Sequence, residues 1–272
     1  MSDDFGQVIH STIWQEEAEP YNPFTAQTCY CSGYDVYGDL LGKASYLEYL
    51  FLLFKGERPE KSSLAALEIL AVALANPGPR DPSVHAAMAA GTSGSTAAAT
   101  LMAALAVGAG SYGGAREVFL SMQAWEERGL DLAVWCASLQ SPKPPSRMQI
   151  WPEIEHPAGF DPYSVQCASP VLQTLKKLAE ILPSGCVSWL ARERAALETA
   201  AAHPIAMSGV AAATLIDLHF NANEGEMLSL LLRLPGAAVH ALEQKKQGFR
   251  QFPFFAVNLD NDPGIPSQKG QI

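Results

Sequence analysis

AAMAAGTSGSTAAATLMAALAVGAG, residues 86–110, is almost free of bulky side chains. Ala, Gly and Ser are short, so helices built from them can bring their backbones close together. The stretch is also apolar, but Gly91, Thr92, Ser93, Gly94, Ser95 and Thr96 interrupt it. A membrane span wants about 20 consecutive apolar residues. The stretch therefore reads as the packed interior of a helix bundle.

The flanks extend that reading. Upstream, Asn76 to Pro82 (NPGPRDP) is a turn-rich break, and Ser83 restarts the helix. Before it, Ser62 and Ser63 open a helix with Leu64, Leu67, Leu70 and Leu74 on one face. Earlier still, Ser45 caps a helix with Glu48 three residues on, Leu47, Leu50, Phe51 and Phe54 form a stripe, and Gly56 and Pro59 end it. Residues 1–32, with Pro20 and Pro23, read as an arm or irregular entry. Downstream, Gly108, Gly110, Gly113 and Gly114 loosen the chain around Tyr112 before a helix over Ala115 to Ala124. Ser141 to Pro157 holds five prolines and reads as a linker. Helices follow at Pro170–Leu182, Trp189–Ala202, Ser208–Phe220 and Glu226–Lys246, and the tail from Asp260 reads as mobile. Strand signals are scarce, with no sustained two-residue alternation. The expected fold is all-α, with about eight to twelve helices.

Composition excludes several classes of function. The 272 residues carry a net charge of −10 and 48% apolar residues, so the chain is neither disordered nor suited to a phosphate backbone. No nucleic acid and no membrane are expected as partners. Cys29, Cys31, Cys136, Cys167 and Cys186 are odd in number and follow an acidic, polar start, which favours free thiols and a cytoplasmic setting. Cys29-Tyr30-Cys31 lacks a second pair at zinc spacing, so no metal site is assigned. There is no P-loop, dinucleotide fingerprint, G-x-S-x-G or H-E-x-x-H.

The segment Gly110-Ser-Tyr-Gly-Gly-Ala115 is the most unusual local text. Adjacent glycines before a helix let a ligand approach and leave N–H groups at the helix start, or they simply allow helices to cross.

Several segments in order resemble the citrate synthase superfamily. GYDVYGDLLGKASYLEYLFLLFKGERP (33–59) resembles its opening. NPGPRDPSVHAAMAAGTSGS resembles its Asp-His-Gly block, GSYGGAREV its His-Gly-Gly-Ala block, and PAGFDPYSVQCASPVLQTLKKLAEIL its Gly-Phe-Gly-His-Pro block. HPIAMSGVAAATL is similar to the Asn-Val-Asp block, and GAAVHALEQKKQGFRQFPF (236–254) to the closing helix. The resemblance spans about residues 33–255, and the length is nearer to the citryl-CoA lyases and the lyase module of ATP-citrate lyase. It implies a large helical domain (33–145 and 206–259) and a smaller cleft-closing domain (146–205), between the 1–32 arm and the 260–272 tail. It also implies a homodimer or a heteromer with an active relative, and a coenzyme A thioester as ligand, with no covalently bound cofactor.

The family's chemistry makes or breaks a carbon–carbon bond beside a thioester carbonyl, which needs a base and hydrogen-bond donors for the enolate. Carried over residue by residue, the first histidine falls on Pro77, after Asn76; the second falls on Tyr112; the aspartate falls on Ile205. The Gly-Phe-Gly-His block is one residue short, and Asp161 stands near the histidine's place. Two readings follow. The chain is a disabled, CoA-binding partner subunit, since one oxyanion donor alone is worth ~3–4 kcal/mol. Alternatively, it is an acyl-CoA lyase or acyl transferase with relocated chemistry, in which Tyr112 donates to the oxyanion and Asp161, His203 or Asp81 supplies a base. Arg80, Gly113, Gly114, Ser208 and Arg250, the last beside Lys245 and Lys246, are the candidate CoA or substrate contacts. Structural roles stand beside each. Tyr112 fills a cavity, Asp161 caps a turn, His203 meets helix-end carbonyls, His85 is an interior histidine, His240 and Glu243 bridge helices, and Arg80 and Asp81 pair locally or face solvent.

Overall fold

Capping residues set most of the element boundaries in the computed structural model, which describes residues 10–140 and 156–253. Ser45 accepts from the Glu48 N–H at 3.1 Å and opens α1 (Tyr46–Lys55), which Gly56 closes in the left-handed region. α2 (Lys61–Ala75) starts one residue before the expected serines, with Glu60 in the N-cap position. α3 (Pro82–Thr92) is capped by Asp81, with Pro82 in the first turn where a missing N–H costs nothing. Thr96 caps α4 (Ala97–Gly108). α5 (Ala115–Arg128) and α6 (Leu132–Gln140) follow; α6 was not foreseen in the sequence. The remaining helices are α7 (Ser169–Ile181), α8 (Cys186–Ala201), α9 (Met207–Asp217) and α10 (Ala222–Gln247). Asn221 and Glu224 form a capping box at the start of α10.

The entry segment differs from the irregular arm expected. β1 (Trp14–Glu19) and β2 (Asn22–Cys31) pair antiparallel, and the short β3 (Tyr34–Asp35) joins β2. Ser32 and Gly33 both have positive φ, which suits a tight turn whose twist matches the strands. The sequence carries no hairpin signal because β1 is exposed along its whole length, as is the first half of β2. With neither face buried, no alternation is imposed on the sequence. The helical architecture stands, with this small sheet attached.

α9 lies at the centre, with Ser208 to Leu215 all buried. It packs against α2, α5, α7 and α8, while α10 runs beside α2, α3, α4 and α5. The small residues act as expected. A Cβ on Gly91 of α3 would sit 2.5 Å from the Ala241 carbonyl oxygen of α10. A Cβ on Gly209 of α9 would meet the Gly159 carbonyl oxygen at 2.4 Å. Trp125 meets Trp135 and Trp189 edge to face, and Trp135 and Trp189 are tilted against each other, with centroids 4.7–6.3 Å apart. The expected linker and the first part of the expected small domain, 141–155, lie outside the described residues, as does the tail.

Candidate functional site

Glu117 organises the site. It occupies the third position of α5, yet it is only 1% exposed. The positive end of a helix favours a carboxylate there. One of its oxygens accepts from the Gly113 N–H. The other accepts from the Gly159 N–H at 3.1 Å and from the Ser208 hydroxyl at 2.8 Å. One buried carboxylate thus ties together the loop before α5, the 156–160 segment and the start of α9.

The other side of that loop is held by Arg233 of α10. Its guanidinium donates to the Gly113 carbonyl at 2.7 Å and also to Asp81. The backbone N–H and carbonyl of Gly113 are therefore both engaged, and Gly113 takes a positive φ of 67°. A Cβ on Gly114 would collide with the Gly110 and Gly108 carbonyl oxygens. These glycines shape the loop, and the Gly113 amide is already engaged.

That loop presents Tyr112, 48% exposed. Its ring lies 5.7 Å, centroid to centroid, from the ring of His156. His156 is 3% exposed, and its Nε2 is 3.7 Å from a Glu117 oxygen, a charge contact rather than a hydrogen bond. Neither ring nitrogen has a hydrogen-bond partner among the described residues. On the far side, the His203 ring is 6.4 Å from that of His156. Tyr112, His156, His203, Glu117 and Ser208 therefore form one cluster.

The other expected residues fall elsewhere. Asp161 accepts from the Tyr163 N–H at 2.9 Å and the Ser164 hydroxyl at 2.6 Å, so its carboxylate caps a turn. Ile205 is 3% exposed, bridges to Phe160 and lines a small apolar cavity with Trp125, Trp135 and Leu190. Pro77 is exposed in the turn after α2, where Asn76 accepts from Gly78 and pairs with His240. His240 also meets Glu243 at 3.3 Å, and the His85 ring lies 5.3 Å from that of Phe252. Arg80 and Arg250 are exposed. Cys167 donates to the Ile205 carbonyl at 3.4 Å; burial, then Glu198, pushes its thiol up. Burial and Asp217 likewise push Cys186 up to about 12. No group of three potential metal ligands occurs among the described residues.

His156, Glu117 and Arg233 were not singled out in the sequence. For Glu117 a signal was present: it shares the α5 face of Ser121 and Ala124, beside Val118, Met122 and Trp125, all buried. An acid in a buried stripe must be collecting donors.

No family model and no curated protein matches the sequence. Solved structures do match. Citryl-CoA lyase from Hydrogenobacter thermophilus superposes with a TM-score of 0.67 at 17% identity, covering 94% of this chain and 98% of that one. This chain has the citrate synthase superfamily fold. ATP citrate lyase from Methanothrix soehngenii, solved with citrate and coenzyme A, gives a TM-score of 0.70 at 18% identity; 96% of this chain matches 42% of that one. Citrate synthase from Thermoplasma acidophilum, solved with carboxymethyl coenzyme A and oxaloacetate, gives 0.54 at 14% identity over 82% of this chain and 60% of that one. In this citrate synthase-like fold, no described helix is long and apolar enough to cross a membrane.

Proposed function

We propose that the protein binds a coenzyme A thioester beside Tyr112 and acts on the bond beside the thioester carbonyl with a proton-handling set of its own. The observation that carries this reading is the buried His156 ring, whose centroid lies 5.7 Å from that of the half-exposed Tyr112 ring and whose Nε2 is 3.7 Å from the Glu117 carboxylate. A phenol can hold an oxyanion, and an imidazole can accept and return a proton. The scaffold supports the choice of ligand, because the matching lyase and synthase structures were solved with coenzyme A or its carboxymethyl derivative. In this reading α7 and α8, within 156–205, belong to the lobe that closes over the cleft.

A second reading, a non-catalytic CoA-binding subunit, is favoured by Pro77 and Ile205. One is in an exposed turn and the other in the core, so neither presents a titratable group where the family resemblance expects one. Both readings require the ligand.

Thermal melting with coenzyme A or acetyl-CoA tests the shared premise. A ligand at 100 times its Kd stabilises the folded state by about 2.7 kcal/mol, which raises Tm by several degrees. No shift at millimolar acetyl-CoA would contradict both readings.

A further inference from the structure

We propose that His156 is the group that removes and returns the proton at the α-carbon of the thioester, and that Glu117 holds its imidazolium. This rests on the CoA-thioester reading and names the residue that carries its chemistry. Three observations converge on it. The ring is buried, yet neither nitrogen is satisfied among the described residues. An orphaned buried polar atom is destabilising, so a site that keeps one has a use for it. The Glu117 carboxylate is 3.7 Å from Nε2, close enough to stabilise a positive ring, while its own oxygens are fixed by Gly113, Gly159 and Ser208 and cannot swing away. The phenol of Tyr112 stands beside the same ring, so an acceptor of protons and a donor of hydrogen bonds share one spot.

The step balances without another reactant. The neutral imidazole takes a proton from the α-carbon, and the C–H electron pair moves into the thioester, placing negative charge on the carbonyl oxygen. That oxygen accepts a hydrogen bond from Tyr112. The imidazolium then returns its proton to the α-carbon, or the enolate attacks a carbonyl partner instead. Among the described residues, the groups facing His156 are Tyr112 from the loop, Glu117 from α5 and His203 from the turn after α8.

Proton exchange reads this step before any second substrate is known. Acetyl-CoA is incubated with the protein in D2O, and loss of the methyl proton signal is followed by NMR. The unaltered protein exchanges the methyl protons, and exchange falls as the pH is lowered, because a protonated ring cannot accept. His156→Gln and His156→Asn lose exchange by roughly 100-fold or more, within the usual range for a general base, while acetyl-CoA still raises their melting temperatures. Tyr112→Phe slows exchange but keeps its pH dependence. Exchange at the unaltered rate in either His156 variant overturns the assignment. So does binding of acetyl-CoA by the unaltered protein without exchange, which leaves the CoA reading standing. Absence of binding removes both. Should the His156 variants fail to fold, 15N-histidine spectra of the unaltered protein decide: the His156 ring signals, assigned by contacts to the Tyr112 ring, must move on adding acetyl-CoA, and unmoved signals overturn the proposal.

Discussion

Glu117 is the residue on which the site's geometry depends. Replacing it with Gln keeps the shape but turns one acceptor oxygen into an NH2 group that faces either the Gly113 N–H or the Gly159 N–H and Ser208 pair. Hydrogen bonds to a charged group contribute ~1.5–3 kcal/mol each, and a donor facing a donor is worse than none. Glu117→Gln should therefore lower stability by about 3 kcal/mol and Tm by roughly 6–12 °C, as read by thermal melting; an unchanged Tm would show that the hub is not structural. Residue identity was the least legible layer in the sequence. Tyr112 was visible because its setting of glycines is unusual. His156 was not, although it stands three residues before the Gly159-Phe160 pair, because nothing local shows that the chain folds it against Tyr112 across some forty positions. Asp161 drew attention by its place in a motif and proved to be committed to its own turn.

At the scale of elements, the helices announce themselves through chemistry that acts over three or four residues. Ser45, Gly56 and the breaks at Asn76–Pro82 and His203-Pro204 mark boundaries that the structure reproduces to within a few residues. The hairpin did not, because an exposed ribbon bearing Glu16, Glu17 and Glu19 has no buried face to write a pattern. α6 was too short to show a stripe. Contacts between elements test the small-residue reading. Gly209 lets α9 meet the 156–160 segment backbone to backbone, and the neighbour a new Cβ would strike is a carbonyl oxygen that cannot rotate away. Gly209→Ala should destabilise by at least ~2 kcal/mol and, by moving the segment that carries His156, should reduce acetyl-CoA exchange more than it reduces acetyl-CoA binding. Equal stability in a urea titration would mean that the segment is free to shift.

At the scale of the whole molecule, the order of degenerate sequence blocks was more informative than any one of them, and the structural match over 94% of the chain bears out the fold they implied. Met227, Leu231, Val239 and Leu242 form an exposed apolar stripe along α10, and Met102 and Val107 are exposed on the neighbouring α4. The proposed thioester site is tested most directly by a crystal structure with acetyl-CoA bound. The Tyr112 hydroxyl should lie within ~3.2 Å of the thioester carbonyl oxygen, with a His156 ring nitrogen the nearest titratable atom to the α-carbon. A thioester seated away from Tyr112, or one whose α-carbon faces some other acid or base, would contradict it.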